Sequence, residues 1–534
     1  MQQHNQVATG ARAHPRAEIE VELKLAGAPD ALKRLLAAAP IGDRATGRAR
    51  SKRLESVYYD TDGQKLRARG LALRVRKEGR RYCQTLKSND VEGLAAYRGE
   101  WENPLPSSVP DLALMPEGGR AALNGAIDPG ELRALFATRV QRTVRRITTT
   151  DQALGWSLIE VALDSGAIEA DGATLPIAEV ELELLEGSPE ALYALALELE
   201  AVAPLRLENR SKSARGYALA AGAPPAWHKA EPPALRADAT VDQAIQAILR
   251  NCLQQWCANE AAALDGSDPE GVHQMRVALR RLRSAFSAFG RLLDPAQRAQ
   301  LSSQAKTILS SLGPARDWDV FLSELLAPVS AARPDDANLA RLAAAAQASR
   351  ATGQAQAQAA IEAREYTRYM LQLGHWIEAR GWRAQASARG ADWLDRPIGE
   401  FATHLLGKRQ RKALKLGRQF VQLSAEERHQ VRIALKKLRY ATEFFQTLYP
   451  KKHTRAYLAA LKELQDRLGH LNDVAVAERL IRMLVDAADR GGDGVGMEWA
   501  GGLVVGWHAR GVAEIEPATV RAWQKFTEIE PFWR

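Results

Sequence analysis

Along residues 18–25, EIEVELKL, charge falls on every second position: Glu18, Glu20, Glu22 and Lys24 alternate with Ile19, Val21, Leu23 and Leu25. In a strand, successive side chains point to opposite faces, so the acids and the ammonium share one face and the aliphatic residues the other. The same parity returns further along the chain. Arg74 and Arg76 share a face in LALRVRKEG, Arg81 and Lys87 in RYCQTLK, and Arg98, Glu100 and Glu102 in RGEWEN. Glu160 and Asp164 do so in IEVALD, and Glu179, Glu181 and Glu183 in EVELEL. Solvated faces usually mix Ser, Thr and Gln among their charges. Carboxylates aligned like these are costly unless a cation lies among them. The pattern suits an enclosed, wet face that takes a polyanion together with a divalent metal, Glu holding the metal and Arg and Lys the phosphate oxygens.

Positioning such a face requires strands. Eight runs of strand length precede residue 218, at 18–26, 54–60, 70–77, 80–87, 97–103, 139–148, 156–163 and 177–186, with turn chemistry in DTDG and DSG between some of them. Helical patches are expected near 29–38, 129–136 and 188–200. The pattern predicts an eight-stranded antiparallel β-barrel, its charged face lining a tunnel and its apolar face covered by flanking helices. The proline-rich stretch AGAPPAWHKAEPPALRADA then reads as a linker. Thr240-Val241-Asp242-Gln243 spells a capping box, and the remaining sequence reads as helix. The expected fold is thus α+β with two domains: a leader over 1–17, a strand domain over 18–218, a linker over 219–238 and an all-α domain over 239–534.

The helical part repeats itself. VHQMRVALRRLRSAF at 272–286 returns as RHQVRIALKKLRYAT at 428–442, and LGPARD at 312–317 returns as LGHLND at 468–473, both at an offset of 156. A duplicated helical bundle follows. On a helix, Met275, Leu279, Leu282 and Phe286 form one stripe, and His273, Arg276, Arg280 and Arg283 a neighbouring one. The second copy repeats the basic stripe as His429, Arg432, Lys436 and Arg439. A charge about every 5 Å along a helix matches a long polyanion. Asp317 and Asp473, which end the second repeated block, read as helix-cap or Arg-orienting residues.

Charge and composition agree. The 534-residue chain carries a net +9; residues 1–230 hold 31 Lys+Arg against 30 Asp+Glu and residues 231–534 hold 42 against 34, so the excess lies in the helical part. Cys83, Cys252 and Cys257 form no metal-ligating spacing and suit a reducing compartment. The N-terminal segment lacks an apolar core and no run of about 18 apolar residues occurs, so a cytoplasmic protein without a membrane span is expected.

Glu20-Val21-Glu22-Leu23-Lys24 spells ExExK, and LRARGLALRVR, TLK, RGEWE, IEVALDSGAI, EVELELLEG and SKSARGYAL follow in order. This set resembles the CYTH superfamily, the triphosphate tunnel metalloenzymes, and the helical part resembles a CHAD domain. Together they are similar to bacterial CYTH–CHAD inorganic triphosphatases, over residues 18–534. The resemblance implies a metal-dependent hydrolase that splits tripolyphosphate into pyrophosphate and phosphate, with Mg²⁺ or Mn²⁺ on oxygen ligands. It assigns Glu20, Glu22, Glu100, Glu102, Glu179, Glu181 and Glu183 to metal, leaving open which of the last three ligate. Lys24, Arg74, Arg76, Lys87 and Arg142 would act on the phosphates, with Asp164 in the metal group or orienting the attacking water. Arg98, Arg139, Lys212 and Arg215 would bind substrate. The helical domain would bind inorganic polyphosphate through His273, Arg276, Arg280, Arg283, His429, Arg432, Lys436 and Arg439, in preference to nucleic acid. The same fold serves thiamine and nucleoside triphosphates, and a non-catalytic polyphosphate-binding or granule-targeting protein is the alternative from another class.

Overall fold

The computed structural model describes residues 18–88, 94–125, 127–151, 155–384, 388–489 and 494–533; the leader over 1–17 lies outside them. The chain forms two compact units, 1–223 and 224–534.

The first unit is a sheet. Its strands are β1 (Glu18–Gly27), β2 (Arg50–Asp60), β3 (Leu71–Glu78), β4 (Arg81–Ser88), β5 (Ala96–Leu105), β6 (Arg133–Asp151), β7 (Gly155–Ala170), β8 (Ala173–Glu186) and β9 (Leu205–Leu207). They run in the order β5-β4-β3-β2-β6-β7-β8-β1-β9, and β5 also pairs with β1. Every pairing is antiparallel. The eight expected strands are present, and the antiparallel sheet they form has nine strands where eight were expected, the ninth being β9. At three residues, β9 is too short for an alternation to show in sequence. The expected helical patch at 129–136 is also corrected: one 3₁₀ turn, Pro129–Glu131, leads directly into the 19-residue β6. Pro129 favours a turn, and the β-branched and Arg-rich run behind it extends.

Alternation sorts the sheet as the sequence implies. Leu23, Leu25, Leu73, Val75, Leu86, Val161, Val180 and Leu182 are buried on the apolar side. Helices α1 (Pro29–Leu35), α2 (Ala39–Gly42), α3 (Glu117–Leu123), α4 (Glu190–Val202) and α5 (Lys212–Ala221) accompany the sheet, and Ala191, Leu192, Leu195, Ala196 and Leu199 of α4 are buried. Each fully buried aliphatic side chain contributes about 1.5–3 kcal/mol. At the β6–β7 pairing, a Cβ on Gly166 would stand 1.9 Å from the Arg139 carbonyl oxygen, so only glycine keeps that register.

The second unit is helical. The two repeated basic segments are the helices Glu270–Ala288 and Ala425–Phe445. Thr240 and Gln243 form the expected capping box, and Ser424 with Glu427 forms another. The copies differ at the second repeated block. In the first, one helix ends at Ser311 and another spans Gly313–Val320, followed by a π-helical turn over Phe321–Leu326. In the second, LGHLND lies inside one 39-residue helix, Lys451–Asp489. Pro314 stands where the second copy has His470; proline removes a donor and crowds the preceding turn, so the first copy breaks there. No helix of the described residues is long and apolar enough to cross a membrane.

Candidate functional sites

Register decides which charges meet on the sheet. Opposite Lys24 on β8 stands Glu181, and opposite Glu22 stands Glu183. On β7, Asp164 faces Arg142 across β6 and Glu179 across β8. Lys87 faces Glu100 across the β4–β5 pairing. These alignments gather Glu20, Glu22, Lys24, Arg74, Arg76, Lys87, Arg142, Glu181 and Lys212 around one cavity of about 70 Å³, with Tyr58, Ser211 and Ser213.

Ion pairs run through this cavity. Lys24 Nζ lies 3.2 Å from Glu22 and 3.1 Å from Glu181. Lys87 Nζ lies 2.7 Å from Glu20 and 2.9 Å from Glu100. Arg142 donates to Asp164 at 2.7 Å through Nε and also bonds Glu181. Lys212 reaches in from α5, not from a strand. Ser211 caps that helix by accepting from the Ala214 amide, which places Lys212 on its first turn. A lysine there opposes the helix dipole, and carboxylates offset the cost: Lys212 Nζ is 2.6 Å from Asp164 and 2.7 Å from Glu181, and it bonds Glu179 as well. The other end of the helix's first turn is tied down by Arg215, buried against Glu179 and 3.8 Å from Glu208. Asp60, fully buried at the end of β2, accepts from the Leu66 and Arg67 amides and from Tyr217 of α5, fastening that helix to the sheet.

The titration shifts follow from these neighbours. Burial raises Glu181, but Lys212, Lys24 and Arg142 hold it well below the usual carboxylate range. Burial lowers Lys24, and Glu22 and Glu181 outweigh it. Arg74, then burial, then Arg142 push Arg76 down to about 10. Burial raises the Tyr58 phenol, but the charges of Arg74, Lys212 and Arg76 together outweigh it and lower the group. Glu183 is displaced the other way: burial, then Glu20, Glu160 and Glu22, push it up to about 7.

Two acidic groups are therefore distinct. Asp164, Glu179 and Glu181 bring ligand atoms within 4.8 Å of one another, yet Lys212, Arg142 and Arg215 already neutralise them. Glu183 stands among carboxylates, and a divalent cation there would relieve repulsion. Glu20 and Glu22 beside it pair with Lys87 and Lys24, so it is Glu183, pushed up by its acidic neighbours, that a metal would relieve most. All donors are oxygens, and no His or Cys lines the cavity.

The remaining expected residues fall outside the cavity lining. Glu100 sits at 3.5 Å from Arg74, and Glu102 accepts from Thr85 at 2.7 Å and is 46% exposed. Arg98 pairs with Glu20 in register, and its side chain lies outside the described residues. Arg139 is corrected: three residues from Arg142 on a strand means the opposite face, and it is exposed and paired with Glu169. Tyr58, Ser211 and Ser213 were missed. Parity with Arg74 across the β2–β3 pairing was the signal for Tyr58.

The helical unit has its own charged cavity, about 960 Å³, lined from both copies: His273 and Arg280 from the first, Arg432, Lys436 and Arg439 from the second. Arg276, Arg283 and His429 do not line it; Arg276 donates to the Leu309 carbonyl at 3.0 Å. Sequence reasoning missed Arg281, which is buried, donates to Gln255 and Asn251 and lies over Phe444. Burial, then Arg316, Arg280 and Arg276, push His273 down to about 3, so its ring is neutral. Asp317 pairs with Arg479 at 3.2 Å.

Comparison with known proteins divides the chain where the two cavities do. The CYTH domain family matches residues 18–217 and the CHAD domain family residues 247–482. An inorganic triphosphatase of Haemophilus influenzae is 30% identical over 173 residues, 31% of this chain and 46% of that one, so the match spans less than half of that relative. The crystal structure of the CHAD domain from Ricinus communis is 35% identical, covering 56% of this chain and 96% of that one, with a TM-score of 0.48. A Hippeastrum protein described as having a dominant triphosphatase activity is 21% identical, covering 38% and 96%, with a TM-score of 0.27. This chain carries a CYTH domain followed by a CHAD domain.

Proposed function

We propose that the sheet unit is a metal-dependent inorganic triphosphatase and that the helical unit binds inorganic polyphosphate. In this reading β1–β8 enclose a tunnel, the β1–β5 pairing joining its two ends. The observation that carries it is the single cavity that combines six cations, Lys24, Arg74, Arg76, Lys87, Arg142 and Lys212, with Glu20, Glu22 and Glu181. A polyanion alone needs only the cations; the carboxylates have a use if metal accompanies it.

Arg74, Arg76, Lys87 and Arg142 would bind the phosphate oxygens, and Arg76, crowded by Arg74, gains most from an anion beside it. Lys24 and Lys212 would stay charged at every physiological pH, because Glu181 faces both. Asp164, held ionised by Lys212 and Arg142 against its burial, keeps those two cations aimed inward. Glu20, Glu22 and Glu183 would hold Mg²⁺ or Mn²⁺, which supplies charge neutralisation and an acidified water when bound. Catalysis of this kind is mostly positioning and electrostatic stabilisation of in-line attack on the terminal phosphorus. Arg98 and Arg215 would support binding, and Glu100 and Glu102 would keep Arg74 oriented.

In the helical unit, Arg280, Arg432, Lys436 and Arg439 would grip one polyphosphate chain from both copies. Phosphate release from tripolyphosphate with and without chelator tests the enzyme. Equal release in both overturns the metal requirement, and none in either leaves the non-catalytic polyphosphate-binding alternative. Thiamine or nucleoside triphosphate hydrolysed faster than tripolyphosphate would reassign the substrate.

A further inference from the structure

Three lysines line the helical cavity, and they are held differently. Lys462 is paired with Asp466 at 2.6 Å. Lys229 lies over the Trp227 ring at 5.6 Å. Lys436 makes no ion pair with any described residue and is half-buried. It takes in the second copy the place that Arg280 holds in the first, as Lys437 takes that of Arg281, and of these two lysines Lys436 is the one that lines the cavity. On its own helix Arg432, Arg439 and Tyr440 share the cavity with it. Arg276 and Arg280 act on it from the helix Glu270–Ala288, and Asp473 from Lys451–Asp489. Glu324 of the π-helical turn also lines the cavity, as do Glu231, Glu270, Arg281, Glu443, Arg455 and Asp466.

An amine so placed combines two properties that lysines seldom combine. Arginines beside it attract phosphate-bearing molecules into the cavity. The same arginines, after burial itself, push its ammonium down to about 7. About half of it is then free amine at neutral pH, against roughly one part in 2,500 for an ordinary lysine.

We propose that Lys436 is a covalent modification site for small acyl phosphates, which the flanking Arg280 and Arg432 bind by their phosphate group. The Lys436 nitrogen attacks the carbonyl carbon, a C–N bond forms and the C–O bond to phosphorus breaks. Inorganic phosphate leaves with the electron pair, and the surplus ammonium proton passes to solvent. The product amide carries no charge, so the cavity loses one cation. Acylation thereby lowers polyanion affinity, a consequence that rests on the polyphosphate reading above; the acylation itself does not.

The test uses the full chain, acetyl phosphate at pH 7.5 and peptide mass spectrometry, with Lys462 as the internal reference. Lys436 should be acetylated about tenfold faster or more, the gain in free amine being partly offset by the lower nucleophilicity of a weaker base. Long-chain polyphosphate should slow the reaction at Lys436 more than at Lys462. The neutral ester p-nitrophenyl acetate should give a smaller Lys436-to-Lys462 ratio than acetyl phosphate, because it cannot use the arginines. Equal rates at the two lysines overturn the proposal, and an equal ratio for both reagents overturns the role of the arginines. Acetylated protein should bind polyphosphate less tightly than untreated protein, and Lys436→Arg should bind equally before and after treatment. If untreated protein binds no polyphosphate while Lys436 is still acetylated, the polyphosphate reading fails and the modification site stands.

Discussion

The two charged cavities of this chain solve opposite electrostatic problems. In the sheet, Lys24, Lys87, Arg142 and Lys212 each touch one or more carboxylates within 3.2 Å. In the helical unit, burial and the neighbouring Arg280 lower the basicity of both Arg432 and Lys436, and none of the three makes an ion pair with a described residue. Mixed charge holds itself together and is costly to desolvate only if a partner is lost. The helical cavity also has acids in its lining, with Arg439 paired to Glu443, but the adjoining Arg280, Arg432 and Lys436 store repulsion that an incoming polyanion releases. The first arrangement can discriminate a metal-bearing phosphate, and the second rewards any long anion in proportion to its length.

That contrast breaks first at the carboxylates. Glu22→Gln should lower tripolyphosphate turnover about 100-fold or more at saturating Mg²⁺, the scale of losing one electrostatic element of a preorganised site. It should leave polyphosphate binding by the helical unit unchanged. Near-parental turnover would return the acids of β1 to a merely solvated face.

Neutralising the helical stripe comes next. Arg280→Gln and Arg432→Gln should each weaken long-chain polyphosphate about tenfold at low salt, equivalent to about 1.4 kcal/mol. The loss should shrink as salt rises, since each contact displaces condensed counterions. Titration with chains of increasing length at two ionic strengths checks this. Affinity that does not rise with length would make the cavity a structural feature.

The pH dependence of stability should have opposite slopes in the two units. Glu183 is pushed up to about 7 in the folded protein and ionises near the ordinary carboxylate value of 4.5 when unfolded. The folded state binds the extra proton between those limits, so metal-free stability falls as pH rises through that window. Lys436 runs the other way: folded near 7 and unfolded at 10.5, it is protonated only in the unfolded chain between them, and stability rises with pH there. Glu183→Gln should flatten the first slope and Lys436→Met the second, as read by Tm in metal-free buffers. A second slope of the same sign as the first would refute the crowding of cations in the helical cavity.

The smallest effect sharpens the sheet itself. Arg139→Ala should leave kcat and KM within about twofold, because exposed ion pairs contribute little and its side chain faces away from the cavity. Arg142→Ala should lower both binding and turnover, since it removes the partner of Asp164 and Glu181. Equal losses would mean that both arginines enter the site.

Much of this was legible in the chain before folding, for local reasons. Alternation with period two assigned Glu20, Glu22, Lys24, Arg74, Arg76 and Glu181 to one face, because a strand fixes side-chain direction residue by residue. The constant offset of 156 disclosed the duplication, and Thr240 with Gln243 marked a helix start through a hydrogen-bond pattern spanning four residues. Tertiary structure decided what depends on distant partners. Register chose Glu181 for Lys24 and left Glu183 among acids, although the two glutamates are indistinguishable by parity. Packing of α5 brought Lys212 into a cavity that no strand pattern contains. Burial among Arg280 and Arg432, supplied by the two copies of a repeat offset by 156 residues, lowered the basicity of Lys436, for desolvation and neighbouring charge belong to the folded environment and not to the residue.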